Sequence, residues 1–238
     1  MGALFIGIDG CRQGWICSTI QERRIIEVGF AKSIVHTWDR FKDTKLILID
    51  IPIGLANTHN RGCDVEARRF LKPRSGSCVF PAPCREALRA ASYEEACKEN
   101  RQISGKKINR QTWSIVPKIK EVDSFLRAMP EARKTLRESH PEVCFRALSG
   151  KPVEHSKKTP EGILKRLQIL RGYLDDVDEH VLEAVIRYRR NGAAMDDILD
   201  SMVLAVTARL ADSHMFTLPK NPDKDENGLP MEIVYALP

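Results

Sequence analysis

LFIGID, residues 4–9, is a short apolar run that stops at an aspartate followed by Gly10, and its reading decides the fold. Such a run, closed by turn residues, predicts a buried strand. WICSTI (15–20) and IIEVGF (25–30) follow, separated by the polar QERR, and the three together predict an antiparallel meander with tight turns. AKSIVHTWDRF (31–41) has helical apolar spacing, and KLILIDIP (45–52), bounded by Asp50 and Pro52, predicts a central strand. The first quarter therefore reads strand, strand, strand, helix, strand.

The character changes over residues 53 to about 136. Short helical patterns lie near 63–72, 92–102 and 118–129, and KPRSGSCVFPAPCR (72–85) is too rich in Val, Phe and Cys for a flexible linker. This segment reads as an insertion packed on the sheet. LRESHPEVCFRAL (136–148) predicts a strand crossing His140 to Phe145. In KKTPEGILKRLQIL (157–170), Thr159 as N-cap, Pro160 at the first helical position and Glu161 in the first turn mark a helix start. DEHVLEAVIRYRR (178–190) and the stretch from Asp196 to about Asp212 predict two more helices. The tail from Pro219 is polar, then apolar, and reads as an edge strand or docked coil.

The 238 residues are 42% hydrophobic and 29% charged, which supports one large domain or one core fold with an insertion. No apolar run approaches the roughly 20 residues of a membrane span, and MGALFIGIDG reads as a strand rather than a signal peptide. The expectation is a soluble, cytoplasmic protein with no membrane partner; a homo-oligomer is allowed but not indicated. The net charge of +6 suits a polyanionic partner such as nucleic acid, although many proteins of this charge bind none. Seven cysteines without a C-x-x-C pair point to reduced thiols. His59, Cys63, Cys78 and Cys84 match no compact zinc-finger spacing.

The acids carry the chemistry. Asp9 and Asp50 each end a strongly apolar strand, where an aspartate usually serves a turn; if the strands are adjacent, both carboxylates share one sheet edge. Glu142, in an apolar setting, is either an outward strand residue or a further site acid. In DDILDSMVLAV (196–206), Asp197 and Asp200 lie three apart on one helical face. The helix is apolar nearly all round and so predicted buried. An N-cap role suits Asp196 or Asp197 but not Asp200, which lies past the first turn. Carboxylates gathered at a buried site stay ionised only beside compensating positive charge. Oxygen-only ligands select magnesium or manganese, and a pair of ions about 4 Å apart is a known arrangement for phosphodiester hydrolysis. Asp9, Asp50, Asp197 and Asp200 are the expected ligands of one or two ions, with Glu142 as a further catalytic acid.

Strand, strand, strand, helix, strand, with acids ending strands one and four and a late acidic helix, resembles the ribonuclease H-like fold. DILDSMVLA (197–205) resembles the D-x-x-D-A helix of Holliday-junction resolvases. GIDGCRQGW (7–15), IDIPIGL (49–55), RGCDVEAR (61–68), VFPAPCR (79–85), HPEVCF (140–145), KKTPEG (157–162) and DDILDSM (196–202) together resemble the domain of unknown function 429 family, described as predicted ribonuclease H-like nucleases. The resemblance implies an α/β protein: one ribonuclease H-like domain over residues 1–238, a mixed five-stranded sheet flanked by helices, and a large, mostly helical insertion after strand four. It also implies a metal-dependent nuclease acting on DNA or RNA.

Residues within these motifs have competing readings. Arg61, Asp64 and Arg68 form either a surface ion-pair cluster or, through the arginines, a phosphate grip. Arg85, Lys118, Lys157 and Lys158 are likewise candidate substrate contacts, the lysines by neutralising a scissile phosphate. Trp15, Trp113 and Phe80 can stack on bases but read better as core. His140 reads as structural, and Ser77 and Cys78 lack a base placed beside them. Two other classes compete with the nuclease. One is a catalytically weak nucleic-acid- or protein-binding module on the same fold. The other is nucleotide phosphotransfer, suggested by DGCRQG but opposed by the absence of G-x-G-x-x-G and G-x-x-x-x-G-K-[ST] loops.

Overall fold

The computed structural model describes residues 2–57, 60–73 and 78–238; His59 and Ser77 lie outside the described residues. The three leading apolar runs form β1 (Phe5–Cys11), β2 (Gly14–Gln21) and β3 (Arg24–Ala31), paired as an antiparallel meander. α1 (Ile34–Phe41) starts at Ser33, whose hydroxyl accepts from the His36 N–H, and leads into β4 (Leu46–Ile49), parallel to β1. Before β5 (Leu136–Glu138) come α2 (Gly62–Leu71), α3 (Tyr93–Ser104) and α4 (Arg110–Ala128). After it come α5 (Pro141–Ser149), α6 (Pro160–Arg171), α7 (Val177–Tyr188) and α8 (Met195–Ala211).

The strand order is β3-β2-β1-β4-β5, a mixed sheet flanked by helices and compatible with the ribonuclease H-like fold. The tail supplies β7 (Ile233–Tyr235), which pairs with β6 (Phe216–Leu218), and Val234 bridges to Ser139 just past β5. No helix among the described residues is long and apolar enough to cross a membrane.

Alternation along the strands sorts the core into two layers. Ile6, Ile8, Ile47 and Ile49 pack with Ile34 and Trp38 of α1 and with Ile119 and Val122 of α4. Phe5, Leu46 and Leu48 belong to the opposite layer, with Leu199, Met202 and Val203 of α8. Strand side chains alternate with period two, so Asp9 and Asp50 fall on the α8 side of the sheet. Gly7 shares that side, and a Cβ on it would lie 2.0 Å from the Ser201 carbonyl oxygen and 2.3 Å from the Ala205 nitrogen. The missing side chain lets α8 lie backbone-against-backbone on β1.

Two expectations are corrected. His140–Phe145 is not a strand: β5 ends at Glu138, and His140 caps α5 by accepting from the Glu142 N–H at 3.2 Å. Pro141 at the helix start lacks an N–H that would be unpaired anyway, so Glu142 sits in a first helical turn instead of facing out from a strand. α4 also begins eight residues earlier than expected and carries Pro117 in its interior. An interior proline costs about 3 kcal/mol; burial of Val116, Ile119, Val122 and Leu126 offsets it.

Candidate functional site

Parallel pairing of β1 and β4 sets the two strand-end acids side by side. Ile8 is opposite Ile49, and the Asp50 N–H donates to the Ile8 carbonyl at 3.0 Å. α8, seated over Gly7, brings Asp200 to the same place. Asp9 is 6% exposed and Asp200 1%. Burial, reinforced by repulsion from Asp50 and Asp200, raises the Asp9 pKa well above the carboxylate range. Burial likewise raises Asp50, with His140 and Lys157 opposing it. Asp200 is pushed up to about 7 by burial, against the pull of Lys157.

Lys157 faces these acids. Lys157 Nζ lies 2.5 Å from Asp200 Oδ2 and 3.6 Å from Asp196 Oδ2. Burial alone would lower its pKa; Asp200, Asp9 and Asp50 reverse that and push it up. Asp200 Oδ1 is buried with no hydrogen-bond partner among the described residues. A buried, unsatisfied carboxylate oxygen is costly. Neighbouring oxygen donors and a charge excess of carboxylate over ammonium make this a fit for a hard divalent cation. The donor atoms of Asp9, Asp50 and Asp200 are not all within 4.8 Å of one another.

The other expected acids stand beside these three. Asp197 is not the N-cap of α8, and neither is Asp196: Ala194 holds that position, and Asp197, in the first turn, accepts from the Ala194 N–H at 2.8 Å. Burial still raises the Asp197 pKa, while that hydrogen bond lowers it. Glu142 is paired with the buried guanidinium of Arg166, which also donates to the His155 carbonyl at 3.2 Å and the Gly162 carbonyl at 3.0 Å. The sequence reading missed Arg166. Its one signal, a single arginine among the apolar positions of an amphipathic helix, also fits an ordinary surface residue.

The candidate substrate-binding residues divide. Lys158 is exposed beside Lys157 and acts electrostatically on Asp197. Arg61 and Arg85 are buried instead. Arg61 pairs with Glu138 and lies 3.7 Å from Asp64, while Arg85 pairs with Asp123 and Asp225. Arg68 donates twice to the Val79 carbonyl. Lys118 donates to the Gly14 carbonyl at 2.6 Å and lies over the Trp15 ring, on the α4 side of the sheet. Trp15 is fully buried, as expected of core.

Cys63, Asp64 and Glu138 do bring their donor atoms within 4.8 Å of one another, but the Arg61 guanidinium already bonds there. Cys84 belongs to a separate cluster with Ala87 and Cys97.

The model of the family described as "Protein of unknown function (DUF429)" matches residues 7–224. The chain belongs to this family. The match begins on β1 just before Asp9 and extends beyond α8, so it spans all the acids brought together here. Searches of curated proteins and of solved structures find no match.

Proposed function

We propose that this DUF429 family member is a metal-dependent nuclease that hydrolyses phosphodiester bonds in DNA or RNA, using Mg²⁺ or Mn²⁺. The observation that carries the reading is the meeting of Asp9, Asp50 and Asp200, from two adjacent strands and one helix, with Asp200 Oδ1 buried and without a partner among the described residues. When bound, a divalent cation supplies the Lewis acidity for phosphodiester hydrolysis. Asp9, Asp50 and Asp200 hold it. Asp197 lines the rim, and Glu142, held by Arg166, closes the α5 side. Lys158 meets an approaching phosphate, and the residues 53–136 insertion shapes access within a single ribonuclease H-like domain.

The test is cleavage of single-stranded, duplex, RNA–DNA hybrid and branched substrates with Mg²⁺, Mn²⁺ or chelator. Cleavage that needs metal and is lost in Asp9→Asn supports the reading; cleavage undiminished in Asp9→Asn rejects it. The spread of the donor atoms beyond 4.8 Å favours a second reading, a nucleic-acid-binding module without efficient chemistry. Tight binding unaffected by metal and by Asp200→Asn would select it.

A further inference from the structure

We propose that the centre takes a single divalent cation, the Lys157 ammonium standing in for a second. This rests on the metal-centre reading above and specifies it.

Charge balance is the first support. Asp9, Asp50 and Asp200 are the carboxylates that press on one another at the junction of β1, β4 and α8. Once metal has displaced their protons, the three carry three negative charges, which one ammonium and one divalent cation balance; two divalent cations beside Lys157 would leave buried positive charge uncompensated. The remaining acids are paired or lie where water screens them. Glu142 is neutralised by Arg166, and Asp196, which shares the Lys157 ammonium, stands with Asp197 at the partly exposed end of α8.

The two oxygens of Asp200 divide the cations between them. Oδ2 is held by Lys157 at 2.5 Å, whereas Oδ1 is buried with no partner among the described residues. One oxygen is thus committed to the ammonium and the other is open to an ion.

Lys157 is also held in place. The Ser156 carbonyl accepts from the Thr159 N–H at 3.0 Å, and Arg166 ties down the His155 carbonyl. Gly162 presses on this turn, since a Cβ there would lie 1.8 Å from the Ser156 carbonyl oxygen. These contacts fix the backbone that carries Lys157, and the ammonium itself is held by Asp200 and Asp196. Its ammonium touches Asp200 Oδ2 and Asp196 Oδ2, and these two oxygens would receive a second ion if the ammonium were removed.

The experiment is a Mn²⁺ titration of the metal-free full chain, with free Mn²⁺ read by electron paramagnetic resonance. Wild type and Lys157→Arg should each bind one ion per chain, and Lys157→Met two. Two ions on wild type overturn the inference without any need for a folded variant; so does a single ion on a Lys157→Met chain whose circular dichroism matches wild type. Either result leaves the nuclease reading intact. Failure of wild type to bind Mn²⁺ at all overturns the metal-centre reading and this inference together.

Discussion

Gly7 on β1 and Ser201 on α8 meet backbone to backbone, with no room for even a methyl group between them. This contact fixes how deep α8 sits and therefore where Asp200, one residue before Ser201, stands relative to Asp9. The Ser201 hydroxyl, where the D-x-x-D-A pattern has alanine, adds a 2.7 Å hydrogen bond to Ser18 on β2.

Gly7→Ala should push α8 off the sheet. Overpacking of this kind costs about 3 kcal/mol, equivalent to a Tm lower by roughly 6–12 °C for a chain of this size. Mn²⁺ affinity should fall as well, because Asp9 and Asp200 separate. A thermal melt unchanged by the substitution would show that the two backbones are not in contact.

Arg61 should behave as a structural residue rather than a phosphate grip. Its guanidinium, 2% exposed, joins Glu138 at the end of β5 to Asp64 on α2. Arg61→Met strands buried carboxylates and should cost about 3–5 kcal/mol. Burial raises Glu138 to about 8 despite the pairing, so Glu138→Gln in the same chain should recover part of the loss. Urea unfolding of the singles and the double measures the coupling. A stable Arg61→Met protein with weakened nucleic-acid binding would return Arg61 to the substrate.

The first four strands and most helix starts were legible because local chemistry and tertiary packing agree there: Thr159–Pro160 does cap α6, with the Thr159 hydroxyl accepting from the Gly162 N–H at 3.2 Å. His140–Pro141–Glu142 carries the same Pro-Glu helix start, yet the β-branched and aromatic residues that follow suggested a strand. The convergence of Asp9 and Asp50 could be anticipated from strand parity. What could not be read was which cation answers which carboxylate. Arg61, Arg85 and Arg166 reach their acids only through packing between distant segments, and no spacing along the chain encodes that.

Metal-free stability should fall as pH rises. Folded Asp200 holds its proton to about pH 7, whereas an unfolded aspartate releases it near 3.8. Between those values the native state binds the extra proton, so acid favours folding and the stability is lost as pH climbs toward 7, with a slope of up to about 1.4 kcal/mol per pH unit. Asp200→Asn should remove this contribution and be more stable than wild type near pH 8 without metal. Urea unfolding from pH 4.5 to 8 in chelator, comparing the two proteins, checks it; parallel curves would mean that Asp200 is ionised throughout.

Lys158 offers the cleanest test of a nucleic-acid partner, because it is exposed and no hydrogen bond ties down its ammonium among the described residues. A lysine that meets phosphate contributes by releasing condensed counterions, an effect that depends on salt and not on base sequence. Lys158→Gln should therefore weaken binding of a short duplex several-fold at low salt. It should also reduce the steepness of log K against log salt by about one, with thermal stability unchanged because nothing in the core touches this side chain. Fluorescence anisotropy across a salt series gives both quantities. If affinity and slope both match wild type, phosphate does not approach over the turn that carries Lys157, and the substrate path lies on another side of the acids.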